Sequence, residues 1–257
     1  MSHEERIHLQ VNLNYVFQKL DERDYKSAVL PSINKLPLQV MVVDKSKINV
    51  LDQGNLGSCV SNAFALYINM TTSSNVHISR LLHYYCGRGM EGDSSTEDTG
   101  LDIRQAAKII GNYGACSETL WPYNIDKFAT LPPLSIFQKS LYFKKYVYTF
   151  INQDIISIKN CLSVQKLPII FGINVYSSFL TNKVAQTGIV PMPDIKTEIN
   201  EGGHCIVMIG YDDSTSLFLC ANSWGTSWGQ KGLFYIPYAY ILNKTLASDF
   251  CYLNFIY

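Results

Sequence analysis

The alternation of apolar and polar positions changes rhythm part-way along the chain. Cys59, Ala63, Phe64, Leu66, Tyr67 and Met70 fall near one side of a helical wheel, which predicts a buried helix over Cys59 to Met70. The stretch before it, Gln53-Gly54-Asn55-Leu56-Gly57-Ser58, is rich in breakers, so Cys59 is expected in the first turn. A second helix fits Leu101 to Ile110, with Ile103, Ala106, Ala107 and Ile110 as its apolar stripe and Gly111 and Gly114 as stops. Asp154 to Lys166 is a third helical candidate, ended by Pro168. Beyond Pro168 the pattern turns to strands. Ile169 to Val175, His204 to Tyr211, Ser216 to Asn222 and Gly232 to Ile236 are short and rich in β-branched or aromatic residues, with Gly, Asp or Ser between most of them. Helices first and strands later predict an α+β protein in two lobes. Gly87 to Gly100 is glycine-rich and acidic without periodicity, and reads as a solvated surface loop and a candidate rim of a site; its acidic spacing is too irregular for calcium.

Composition narrows the functional classes. The 257 residues carry 21 Lys plus Arg and 21 Asp plus Glu, a zero net charge that offers no field for collecting nucleic acid or an anionic membrane. Hydrophobic residues make up 47%, enough for a sizeable core. Met1 to Asp24 lacks the continuous apolar core of a secretory signal, and no apolar run reaches the length of a membrane span. Seven cysteines leave one unpaired in any fully oxidised monomer, whereas buried reduced thiols in an intracellular or otherwise reducing compartment suit the missing signal better. No Cys-x-x-Cys pair occurs, and His83 with Cys86 lacks two further ligands, so neither a metal nor any other cofactor is implied.

The candidate chemistry centres on a thiol. A cysteine at a helix N-terminus meets unpaired N–H groups and a partial positive charge that favour its anion, and the preceding glycines allow close backbone approach. Its proton acceptor should be a histidine on another element. His3 and His8 lie in the charged N-terminus, and His77 and His83 sit among polar residues. His204 differs, because it follows Glu201-Gly202-Gly203 and opens an apolar strand. Asn222 ends the next strand, and its amide oxygen could accept from one imidazole nitrogen so that the other faces the sulfur.

Gln53-Gly54-Asn55-Leu56-Gly57-Ser58-Cys59, Gly203-His204-Cys205 and Asn222-Ser223-Trp224-Gly225-Thr226-Ser227-Trp228-Gly229 together resemble the three active-site blocks of papain-like, cathepsin-like cysteine peptidases, in the same order. The resemblance runs from about Leu36-Pro37 to the C-terminus. It implies a two-lobed fold with the cleft between a mainly helical lobe, about 36–150, and a mainly β, barrel-like lobe, about 151–257. It implies Cys59 as nucleophile, His204 as its partner and proton donor, Asn222 as the group orienting His204, and Gln53 as an oxyanion donor beside the Cys59 N–H. Trp224 would cover the histidine–asparagine contact. Gly100 would pair with an extended substrate backbone, Gly172, Gly202 and Cys205 would line a roomy pocket for the second residue upstream of the cut, and Gly203 belongs with them. Alternation along the strand instead turns Cys205, like Cys220, into the core, and Trp228 reads as core too. The implied activity is endopeptidase hydrolysis of peptide or protein substrates through a thioester. A Cys-His acyl transferase and a non-catalytic peptide-binding member of the fold are the alternatives.

Two departures from the family pattern bear on this reading. Leu56 stands where many members have a cysteine, so the disulfide beside the nucleophile is absent, and Val60 replaces the usual aromatic after it. Residues 1–35 are too short for the long inhibitory prosegment of lysosomal members. They are expected either to fold against the body or cleft or to form a charged tail.

Overall fold

The computed structural model describes residues 11–19, 21, 22, 24, 26, 35–45, 48–72, 77–92, 96–140 and 146–255. Helices dominate the first half: α1 (Cys59–Thr71), α2 (Arg80–Glu91), α3 (Ile103–Tyr113) and α4 (Leu134–Lys139). The second half supplies most of a seven-stranded sheet, with α5 (Ile155–Asn160), α6 (Asn182–Thr187) and α7 (Tyr238–Leu242) between strands. The strands are β1 (Gln39–Met41), β2 (Tyr146–Phe150), β3 (Ile169–Tyr176), β4 (Asn200–Asp212), β5 (Leu217–Ala221), β6 (Leu233–Pro237) and β7 (Ala247–Phe255). Their order is β2-β7-β3-β4-β5-β6, every neighbouring pair antiparallel, with β1 added on β4. This is the two-lobed α+β arrangement expected from the chain pattern.

Helix α1 starts at Cys59 as predicted, but it is not a one-faced helix. All residues from Cys59 to Asn69 are buried, because α2 and α3 pack on one side while β3 and β4 pack on the other. Its polar members are satisfied inside. Ser61 Oγ lies 2.9 Å from His83 Nδ1, and Asn62 donates to the Ser58 carbonyl at 3.0 Å while accepting from Arg80 at 2.8 Å.

Periodicity misses α2, part of which falls in the stretch read as a surface loop. Its sequence, Arg80-Leu81-Leu82-His83-Tyr84-Tyr85-Cys86-Gly87-Arg88-Gly89, mixes charge and glycine with apolar residues, yet Ser79 caps it by accepting from the Leu82 N–H at 3.1 Å, and Gly92 closes it in the left-handed region. Gly87 is where α2 crosses α3, and a Cβ there would lie 2.9 Å from Ile109 Cδ1. The loop that follows is also not wholly solvated. Glu97 is exposed, but Arg88 is buried, stacks on Tyr84 and Phe128 and donates to the Glu97 and Phe128 carbonyls. Asp98 accepts both Gly57 N–H contacts, at 3.0 and 2.9 Å, and the Tyr84 hydroxyl. The predicted strands stand, with β4 beginning four residues earlier, at Asn200, than the apolar run suggested. The third predicted helix is α5, capped by Asp154 Oδ1 accepting from Ser157 N–H at 2.8 Å, and it relaxes into a π-turn over Cys161–Gln165.

Candidate active site

Cys59 opens α1 with no exposed surface. Ser58, its N-cap, makes no side-chain capping bond to the helix backbone. Its hydroxyl instead pairs with the Tyr123 hydroxyl at 2.5 Å and accepts from Asn62 at 3.0 Å. The turn before it is fixed from outside: Gln53 N–H donates to the Ser223 carbonyl at 2.9 Å, Tyr123 donates to the Gln53 carbonyl at 2.9 Å, and Asp98 holds Gly57. The first N–H groups of α1, including those of Cys59 and Val60, face the sulfur, and so does the N–H of Cys205. That last contact places the strand carrying His204 directly at the thiol.

His204 and Asn222 come from β4 and the end of β5. His204 Nε2 lies 2.8 Å from Asn222 Oδ1, whose other hydrogen bond comes from the Ser223 N–H at 2.8 Å. The amide oxygen accepts both, so Nε2 carries the proton and Nδ1 remains. Among the described residues Nδ1 is buried and has no hydrogen-bond partner. Trp224 stacks on the imidazole, ring centroids 4.8 Å apart and 26° between planes, and closes the histidine–asparagine contact from water. It is braced in turn by Trp228 and Phe179, so Trp228 is core as expected. Gln53 completes the run: its Oε1 accepts from Ser223 Oγ at 2.7 Å and its Nε2 points back toward the nucleophile turn, donating to the Leu56 carbonyl at 3.0 Å. Two residues unassigned by the sequence reading hold the arrangement: Ser223 ties the Gln53 turn to Asn222, and Asp98 ties Gly57 to Tyr84 of α2. Ser223 lay inside a quoted motif, whereas Asp98 gave no signal because its partners are distant in sequence.

Gly100, Gly172, Gly202 and Gly203 lie together, and residues 13–15 of this chain lie against them. A Cβ on Gly100 would run into the Asn14 carbonyl, one on Gly203 into the Tyr15 carbonyl, and one on Gly172 into the Tyr15 ring; on Gly202 it would lie 2.7 Å from the Leu13 carbonyl. Tyr15 N–H donates to the Gly203 carbonyl at 3.0 Å and Val16 N–H to the Leu101 carbonyl at 3.1 Å, each within a parallel bridge. Gln53 Nε2 also donates to the Asn12 carbonyl at 3.2 Å. Asn12 and Asn14 bond Asp98 at 2.8 and 2.7 Å, and farther on Arg104 grips Gln18, Lys19 and Asp24. Cys205 pairs across the sheet with Gly172, its backbone N–H at the Cys59 sulfur, and it is buried within the hydrophobic core.

Burial dominates the electrostatics here. It pushes the Cys59 thiol up to about 12 despite the three N–H groups at the sulfur, and pushes His204 down to about 4 despite Asn222. In this closed arrangement burial works against the thiolate that a helix N-terminus alone would favour. His83, the other internal histidine, donates through Nε2 to the Ala106 carbonyl at 2.9 Å with Nδ1 paired to Ser61 Oγ, and is a structural core residue. All seven cysteines are unpaired and buried. Among the described residues no group of three or more His, Cys, Asp or Glu side chains is placed to hold a metal ion, and no helix is long and apolar enough to cross a membrane.

This arrangement has close counterparts. The xylellain cysteine protease of Xylella fastidiosa superimposes with a TM-score of 0.89 at 31% identity, covering 100% of both chains. A peptidase C1-like protein of Acanthamoeba polyphaga mimivirus is 36% identical over 226 residues, 83% of this chain and 72% of its own length. A digestive procathepsin L 3 of Tenebrio molitor shares the fold, with a TM-score of 0.67 at 20% identity over 90% of this chain and 74% of that one. Residues 37–252 match the family model described as papain family cysteine protease, and the chain therefore belongs to that family and is a cysteine peptidase.

Proposed function

We propose that the chain is an endopeptidase that cuts peptide bonds through Cys59, His204, Asn222 and Gln53. The observation that carries this reading is the single hydrogen-bonded run Gln53–Ser223–Asn222–His204, which leaves His204 Nδ1 unpartnered on the strand whose next N–H meets the Cys59 sulfur. In the proposed reaction Nδ1 takes the thiol proton and Cys59 Sγ attacks the substrate carbonyl carbon. The oxyanion is held by Gln53 Nε2 and the Cys59 N–H. The imidazolium gives its proton to the leaving nitrogen, the amine departs, and a thioester remains. Water, deprotonated by His204, then attacks the thioester and releases the acid and the thiol. Asn222 holds the ring through Nε2 in both steps, and Trp224 keeps water off that bond.

Residues 36–257 form the peptidase domain in this reading, and residues 1–35 an extension whose residues 11–18 hold the cleft closed. The direction of the segment supports this. In a substrate, the residue filling the second upstream pocket precedes the cut carbonyl. Here Tyr15, against Gly172, follows the Asn12 carbonyl that Gln53 binds, so the segment lies backwards and presents no correctly ordered bond to the sulfur. Leu56 beside Cys59, in place of a disulfide partner, supports a compartment that keeps thiols reduced.

The test is a peptide library digested by the full chain and by its Cys59→Ala variant at mildly acidic and neutral pH. Loss of all cleavage in the variant, a drop of about five orders of magnitude or more for removal of a nucleophile, is expected. Products that persist in the variant reject Cys59.

A further inference from the structure

We propose that Asp98 is a positioning residue for the reaction: its carboxylate holds the nucleophile turn through Gly57 and ties that turn, through Tyr84, to Gly100. The proposal deepens the protease reading above and rests on it. The turn before Cys59 is gripped from two sides. On one, the Tyr123 hydroxyl donates to the Gln53 carbonyl at 2.9 Å and pairs with the Ser58 hydroxyl at 2.5 Å. On the other, the Gly57 N–H has both Asp98 carboxylate oxygens within reach, at 3.0 and 2.9 Å. A backbone N–H bonded to a carboxylate is held more firmly than one bonded to a neutral oxygen. Gly57 stands two residues before Cys59. Because peptide units are planar, fixing Gly57 narrows the directions in which the Cys59 N–H, the proposed oxyanion donor, can point.

The same carboxylate accepts from the Tyr84 hydroxyl, and that hydroxyl accepts from the Gly100 N–H at 3.1 Å. Burial first, and then the bond to Asp98, hold the phenol well above its ordinary titration range, so it keeps the proton it donates. Arg88 lies over the Tyr84 ring, 4.4 Å from its centroid, and donates to the carbonyl of Glu97, the neighbour of Asp98, at 3.1 Å. One acid thus sets the distance between the nucleophile turn and the glycine proposed to pair with substrate backbone. Electrostatics say that its role is geometric. Burial is the main cause of the raised Cys59 thiol, and the Asp98 charge adds to it, so a carboxylate here works against the anion the reaction needs. Asp98 also accepts from Asn12 through its carboxylate and from Asn14 through its carbonyl. Fastening the segment is therefore the rival role, and it predicts the opposite sign: its loss opens the cleft and raises turnover, whereas loss of positioning lowers it.

The experiment uses the full chain carrying Asn12→Ala and Asn14→Ala, which removes the segment's side-chain bonds to Asp98 and leaves those from Gly57 and Tyr84, with the fastest peptide of the library. Asp98→Ala in this parent should lower kcat about ten- to a hundredfold. Asp98→Asn, which keeps one oxygen for Gly57, should lower it less. Tyr84→Phe leaves Gly57 clamped and frees Gly100, so KM should rise while kcat holds. Unchanged or raised turnover in Asp98→Ala means that Asp98 only fastens the segment, and overturns the proposal. So does an equal fall of kcat in Tyr84→Phe, which places the effect in α2 as a whole. If Asp98→Ala does not fold, Asp98→Asn decides in its place: a lowered kcat supports the proposal and an unchanged one rejects it. If the parent cuts no peptide, the protease reading fails on its own, and Asp98 is read from the pH midpoint of Cys59 alkylation by iodoacetamide. Loss of the charge alone lowers that midpoint, and loss of the helix-start geometry raises it. A higher midpoint in Asp98→Ala then supports positioning, and a lower or unchanged one rejects it.

Discussion

Two pieces of chain meet at the same strand ends and are held there by different means. The turn Gln53 to Cys59 is locked into the body: Gln53, Ser58, Cys59, His204 and Asn222 are all buried, and their contacts run through short bonds between rigid elements. Residues 11–18 cross the cleft on isolated bridges with side chains that are often half-exposed, and Val16 and Phe17 remain about two-fifths exposed. The first arrangement has no low-cost way to open. The second is a set of scattered contacts, to Gln53, Asp98, Gly203, Leu101, Asp249 and Arg104, of which the Arg104 ones can be weakened without touching the core. A protease needs its reacting groups preorganised and its cleft accessible, and this chain assigns those demands to different segments.

The locked side should respond to substitution with the largest losses. Gln53 is the sharpest probe, because its two ends do different things: Oε1 holds Ser223, and Nε2 is the proposed oxyanion donor. Gln53→Glu keeps the acceptor and replaces the donor with a repelling oxygen. It is expected to lower kcat about a hundred- to a thousandfold with little change in KM, the size of losing one oxyanion donor. Steady-state kinetics on the fastest peptide of the library check this. An effect confined to KM would reassign Gln53 to substrate binding.

The same burial carries a stability consequence. His204 and His83 are both pushed from 6.5 down to about 4. The unfolded chain therefore takes up these protons at about pH 6.5, while the folded chain resists them until about pH 4. Stability is fully present above that window and falls as pH drops through it, by up to about 3 kcal/mol for each histidine. Thermal unfolding from pH 7.5 to 4.5 should show the falling midpoint, and His83→Gln, away from the chemistry, should flatten about half of the slope. A slope unchanged by His83→Gln would mean that His83 already shares its proton with Ser61 in the folded state.

The contrast between the two segments also marks what the sequence made legible. The nucleophile turn, the His204 strand and the Asn222 block could be read because a reacting geometry fixes residue types at each position. Cys59 at a helix start, β3, β4 and β5 followed from breakers and apolar runs. Helix α2 did not, since its glycines and charges serve contacts with α3, Phe128 and Asp98 that have no local period. Asp98 was hidden in an acidic stretch that resembles any solvated loop, and its value comes from Gly57 and Tyr84 on two other elements. Residues 11–18 left no pattern for the same reason. A segment held by scattered contacts to separate parts of the body needs neither an apolar face nor an alternation.

That separability gives the smallest effect and the most direct way to break the comparison. Arg104 stands at the start of α3 and pairs through Nε and Nη2 with Asp24, while Nη2 also reaches the Lys19 carbonyl and the backbone N–H bonds Gln18. Its ion pair is mostly shielded, with side-chain exposures of 11% and 10%, so it is worth more than a surface pair. None of these atoms touches the groups at the sulfur. Arg104→Ala in the full chain should therefore raise the rate of Cys59 alkylation by iodoacetamide about tenfold, about 1.4 kcal/mol of closed-state stability, and raise peptide turnover in step. Arg104→Lys, which keeps the charge but loses the planar fork, should fall between the two. Hydrogen exchange separates the segments within the same sample: the Tyr15 and Val16 amides should lose protection, and those of β4 and β5 should keep it. If protection falls equally in both, the N-terminal segment is part of the core, and the distinction between a fixed site and a removable cover fails.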